Sequence, residues 1–184
     1  MVYSKLAASF YLVVGIFNIG LWIMLIITGG VDSFQEEKIS FIFHWASELG
    51  MAVMLIITGI RLFKVPENAR PLFYFSSGLL LIAIIGALVW YLVHFDPAMV
   101  VMGAVITAIT LLLVVIQRPG GRDMLYLLTG IILYGTINVA GEAIQKGLQS
   151  ITLYNGLLLA ATLLLTRIIW KKKGILMDRD SRES

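Results

Sequence analysis

The chain contains no cysteine, which excludes a disulfide framework, a thiolate metal site, a cysteine nucleophile and the thiol relay of membrane disulfide oxidoreductases. Charge is equally scarce: 14% of the 184 residues are Asp, Glu, Lys or Arg, against roughly 25% in an ordinary soluble domain. Histidine occurs twice, at His44 and His94, and proline four times. No Gly-x-Ser-x-Gly elbow is present, and Pro119-Gly120-Gly121 lacks the Gly-Lys-Ser or Gly-Lys-Thr of a phosphate-binding loop. Neither an arginine-repeat voltage sensor nor a Thr-Val-Gly-Tyr-Gly filter occurs, and too few polar residues are available to line an aqueous pore. Ser47, Ser76 and Ser77 therefore read as packing residues.

What the chain has is apolar length. Hydrophobic residues make up 59% of it and the mean hydropathy is +0.93, values of an integral membrane protein. A spanning helix needs about 20 apolar residues at 1.5 Å rise each. Six runs meet this: Leu6 to Thr28, Phe41 to Phe63, Leu72 to Val93, Ala98 to Ile116, Met124 to Ile144 and Gln149 to Trp170. The expected fold is all-α, a polytopic bundle of six transmembrane helices over residues 1–173, with 174–184 a polar cytoplasmic tail. The runs are too long for barrel strands and lack their alternation. The first run is too long for a signal-peptide core and no small-x-small cleavage site closes it, so it reads as helix one. Asp96-Pro97 predicts an N-cap followed by proline at the first helical position, Asp123 a cap for the fifth helix, and Gly29-Gly30 the end of the first.

Alternation of six helices puts 12 of the 14 Lys and Arg residues on one side, leaving Lys38 and Lys146 on the other. By the positive-inside rule both termini face the cytoplasm, the expected location being the plasma membrane. The net charge of +3 is thus topological, and nucleic acid is not an expected partner. Lys171, Lys172 and Lys173 read as an anchor on anionic headgroups. Tyr11, Trp22, Trp45, Trp90, Tyr91 and Trp170 read as interfacial anchors. Small residues four apart predict helix contacts at Ala46/Gly50, Gly103/Thr107, Thr136/Ala140 and Gly156/Ala160. Met24 to Gly29 recurs as Met54 to Gly59, a weak internal echo that carries no function.

Ionisable groups inside hydrocarbon are costly, so each is a functional candidate. His44 and Glu48 stand at i and i+4 on the second helix, hence on one face. Asn138, Glu142 and Gln145 share a face of the fifth helix, Tyr154 and Asn155 open the sixth, and Asn18 lies nearer the middle of the first. Glu48 and Asn138 come out at similar depth, roughly 10 Å from the outer helix ends. If the second and fifth helices are neighbours, these residues meet. The expected site is an outward-facing pocket in which Glu48 is the coupling carboxylate, His44 its titratable partner, and Asn138, Glu142 and Asn155 the hydrogen-bonding walls. Its ligand would be a proton, an ion or a small solute, transported or sensed without catalysis. No cofactor is expected. The types His44, Glu48, His94 and Glu142 would suit a divalent metal, and His44 with His94 one haem, but the spacings match no metal signature. The main alternative is an accessory subunit of a larger membrane complex, its polar residues serving as interhelical fasteners; homo-oligomerisation stays open.

The run Phe43-His44-Trp45-Ala46-Ser47-Glu48, followed by Ile56-Ile57-Thr58-Gly59, resembles a pattern in small uncharacterised prokaryotic membrane proteins. In these, Phe-His and a Glu four positions later open a helix that ends in Ser/Thr-Gly. The resemblance extends over the first four helices, including Ala98 to Met102, with the last two as an addition. It implies no activity.

Overall fold

The computed structural model describes residues 2–28 and 38–146, the side chains from 4 to 28 and from 45 to 138. They form five helices: α1 (Val2–Ile27), α2 (Lys38–Lys64), α3 (Arg70–Val93), α4 (Pro97–Ile116) and α5 (Gly121–Lys146). Each expected run from the first to the fifth is a helix within a few residues of its expected bounds. Four are long and apolar enough to cross a membrane, over Ser4–Ile27, Trp45–Lys64, Arg70–Val93 and Pro97–Ile116. Of α5, side chains are described only over 121–138, a stretch that includes Arg122 and Asp123, and it is not among the four. Of the expected bundle of six spans, the described residues thus show five helices and four candidate spans. The sixth run, Gln149 to Trp170, and the tail 174–184 lie outside them.

Short turns make consecutive helices antiparallel. Asp96 caps α4 as expected, accepting from the Met99 amide at 3.3 Å, with Pro97 in the first turn. At α5, Asp123 instead reaches back to the Gly120 amide at 3.4 Å, the reciprocal half of a capping box. The chain turns through left-handed backbone at Phe95 (φ 53°) and Arg118 (φ 47°), not at the neighbouring glycines of the Pro119-Gly120-Gly121 breaker.

α1 packs along α2, α2 against α3 and α5, and α3 against α4 and α5, so α2 and α3 are central. The buried core is built from Tyr11, Leu55, Phe73, Tyr74 and Leu80, with Tyr11 stacked on Phe73 at 5.3 Å. The outward faces of α1 and α4 expose Val13, Ile16, Val101, Val105, Leu112 and Val115, a surface that matches hydrocarbon rather than water.

Close approach depends on two glycine pairs. A Cβ on Gly15 would meet the Ala52 carbonyl at 2.9 Å, and one on Gly59 the Ala8 carbonyl at 2.9 Å, so α1 and α2 touch backbone to backbone. Gly78 and Gly130 do the same where α3 crosses α5, against the Leu127 and Phe75 carbonyls. Of the expected small-residue contacts, Gly103 does face Leu88 and Ile84 of α3. Gly50 has nothing within 4 Å, Ala46 and Thr136 are exposed, and Gly156 with Ala160 lies outside the described residues. The contact faces follow an alternating three-and-four seam instead: positions 8, 11, 15, 18 and 22 on α1 against 48, 52, 55, 59 and 62 on α2.

Candidate functional site

Two polar layers cross the bundle. The first lies toward the end that carries Lys5, Lys64 and Arg70. Tyr11, Thr58 and Ser76 each stand six residues from one of these cations, about 9 Å along their helices. The Tyr11 hydroxyl is hydrogen-bonded to Ser77 Oγ, whose hydroxyl also reaches the Phe73 carbonyl at 2.7 Å. Thr58 Oγ1 and Ser76 Oγ are 2.6 Å apart, and Thr58 donates to the Met54 carbonyl at 2.6 Å. All four side chains are fully buried and joined by direct bonds among α1, α2 and α3. Tyr11 is thus a core residue rather than an interfacial anchor: its ring fills the gap beside Phe73 and its hydroxyl is satisfied indoors. Ser76 and Ser77 are fasteners as well as packing residues.

The second layer surrounds Glu48, toward the opposite end. Trp22 on α1 donates its indole N–H to Glu48 Oε2 at 2.7 Å. Trp22 is only 7% exposed, so it too departs from the expected anchoring role. An indole is a donor only, and a carboxylate on the facing seam is the acceptor that lets it be buried. From α5 comes Tyr134, buried, with its hydroxyl in hydrogen-bonding reach of Ser47 and Asn138. Asn138 Nδ2 donates back to the Tyr134 carbonyl at 2.8 Å. Glu48 is near enough to Tyr134, and to Tyr91 of α3, to act on both electrostatically. Four helices therefore contribute to one small polar layer about a single carboxyl group.

α2 packs on α5, and Tyr134 of α5 is hydrogen-bonded to Asn138 and close enough to Glu48 to feel its charge. His44 lies one turn before Glu48 on α2, and Glu142 one turn after Asn138 on α5; their side chains, like Asn155, Lys171, Lys172 and Lys173, lie outside the described residues. His94 is away from the layer. It is exposed at the end of α3, its ring stacked on exposed Trp90 at 4.2 Å and its Nδ1 2.9 Å from the Trp90 carbonyl. Among the described residues no three His, Asp or Glu side chains converge as donors for a metal ion. Trp22 and Tyr134 are the members that residue-type reasoning overlooked. The three-and-four seam of α1 was the available signal, because position 22 continues the same stripe as Tyr11, Gly15 and Asn18.

One buried atom in this region is unsatisfied. Asn18 Oδ1 has no hydrogen-bond partner among the described residues, and the same holds for Thr107 Oγ1 on α4.

The sequence model of a family described as a domain of unknown function (DUF8058) matches residues 1–119. The chain belongs to this family. The match covers α1 to α4 and ends in the turn before α5. Trp22 and Glu48 fall inside the matched residues, and Tyr134 and Asn138 beyond them. No curated protein and no solved structure matches the chain.

Proposed function

We propose that the chain is a non-catalytic, multi-pass protein of the plasma membrane with both termini in the cytoplasm, as the distribution of Lys and Arg favours. On this reading the family's apolar helices form a scaffold for a small site open toward the outer face, which binds a proton, an ion or a small solute for transport or sensing. The kinship with small prokaryotic membrane proteins belongs to the same proposal, as do the sixth span and an outer position for His44, Glu142 and Asn155.

The observation that supports it is the bond from Trp22 to Glu48 at 2.7 Å, inside a layer to which α1, α2, α3 and α5 all contribute. A carboxyl group among apolar helices is expensive, and a structural fastener could use neutral groups, as the Tyr11 and Thr58 layer does. An acid is worth its desolvation where its charge can change. The test is a pH titration of the detergent-purified chain between about pH 4 and about pH 9, read by tryptophan emission, since Trp22 touches the carboxyl directly. A titration abolished in Glu48→Gln supports the site. The rival accessory-subunit reading requires the reverse: no titration in the parent chain, and a marked loss of stability in Glu48→Ala, which removes the acceptor for Trp22.

A further inference from the structure

We infer that the groove along the seam of α1 and α2, on the side away from α3, binds an anionic phospholipid whose phosphate sits between Lys5 and Lys64. The inference is independent of the Glu48 layer, which lies toward the opposite end of the same helices.

The packing of α1 on α2 brings the two lysines to one height. A Cβ on Gly59 would meet the Ala8 carbonyl and one on Gly15 the Ala52 carbonyl, pairs whose residue numbers both add to 67. That antiparallel register sets Lys5 opposite Leu62, two residues from Lys64, or about 3 Å along the axis. Lys5 stands at the start of the span Ser4–Ile27 and Lys64 closes the span Trp45–Lys64, so both mark the same membrane boundary.

The same contacts settle which flank the groove occupies. On α1, Tyr11 turns to Ser77 of α3 while Leu12 lies against the Gly59 position, so the flank beyond Leu12 carries Lys5, Ser9 and Ile16. On α2, Thr58 meets Ser76 of α3 while Gly59 faces α1, so the matching flank carries Ile56, Ile60 and Phe63, with Lys64 at its end. Lys5, Ser9, Ile16, Ile60, Phe63 and Lys64 are all exposed. The groove is a strip of apolar surface headed by two cations.

Charge decides what fills it. Two ammonium groups at one height repel each other, and neither has an ion-pair partner among the described residues. A phosphate between them replaces one repulsion by two attractions, while the lysine stems lie along apolar surface. Glu67, the next carboxylate along the chain, is exposed in the turn that leads on to α3. A zwitterionic lipid carries its own ammonium close to its phosphate, so a lipid of net negative charge gains more from the lysine pair. Arg61 and Arg70 belong to the same end but not to this groove: Arg61 continues the stripe of Met54 and Thr58 on the α3 side of α2, and Arg70 opens α3.

The test titrates the full chain in mild detergent with dioleoylphosphatidylglycerol or dioleoylphosphatidylcholine and follows bound lipid by native mass spectrometry. The anionic lipid should bind about thirtyfold more tightly than the zwitterionic one. Lys5→Gln and Lys64→Gln should each remove about fivefold of that preference, and the double variant nearly all of it. Arg61→Gln with Arg70→Gln, which takes as much charge from the same end, should change binding by less than about twofold. Either single lysine variant serves if the double one does not fold. Equal losses from the lysine and arginine pairs would mean a diffuse positive surface and overturn the inference, as would a parent chain without preference for the anionic lipid. Displacement of the bound lipid by inorganic phosphate also overturns it, since the acyl groove would then contribute nothing.

Discussion

The two polar layers are built on different principles, although α1, α2 and α3 contribute to both. In the layer of Tyr11, Ser77, Thr58 and Ser76, every group is neutral, fully buried and joined to another by a direct bond. In the layer of Glu48, the central group is ionisable and only half-buried. A saturated neutral network stabilises one arrangement of helices and has no second state. A carboxyl group has two states, separated by one proton. Under the proposed function the contrast sets cohesion in the first layer against response in the second. The first lies wholly on α1 to α3, within the residues shared with the family, whereas the second takes Tyr134 and Asn138 from α5, beyond them.

The comparison breaks most visibly if stability does not reside where the network is saturated. Tyr11→Ala removes a fully buried ring stacked on Phe73 and the hydrogen bond between its hydroxyl and Ser77, and it should cost about 3 to 5 kcal/mol of stability in a denaturant titration in mixed micelles. A loss below about 1 kcal/mol would mean that this layer is not a core. Thr58→Val is gentler, keeping the shape and deleting the hydroxyl that meets Ser76. It should cost about 1 to 2 kcal/mol while leaving the pH response of Trp22 emission untouched. A shifted titration midpoint there would show the layers to be coupled.

Glu48→Gln sharpens the comparison from the other side. The amide oxygen of glutamine can still accept from the Trp22 indole, so stability should change by less than about 1 kcal/mol while the titration disappears. Loss of fold with no titration in the parent would convert Glu48 into another fastener.

The helices were legible because their cause is local. Runs of about 20 apolar residues bounded by Asp96-Pro97 or Pro119-Gly120 leave few alternatives, and α1 to α5 fall near those bounds. Lateral packing was not. Small residues four apart pointed to Ala46 and Gly50, which face outward, whereas the true approaches use Gly15, Gly59, Gly78 and Gly130, each matched to a carbonyl on another helix. Such matches depend on register between helices, which no single helix encodes. For the same reason Trp22 read as a belt residue: its height suits the interface, and only the facing seam shows that its indole meets a carboxylate.

The smallest expected effect asks whether the Glu48 end is simply looser than the other. Among the described residues, each end has one turn closed by a side chain in left-handed backbone, Phe95 near the Glu48 layer and Arg118 near the hydroxyl layer. Glycine adopts that conformation without the Cβ clash, but it also gains freedom when unfolded, so the two effects largely offset. Phe95→Gly and Arg118→Gly should therefore each stabilise by only about 0.5 kcal/mol, seen as a small rise in thermal midpoint. Equal gains mean that the ends are held with similar firmness, and the difference between the layers then lies in their chemistry. A clearly larger gain at Phe95 would locate strain at the Glu48 end, and the half-buried state of the carboxyl would have to be explained by that strain instead.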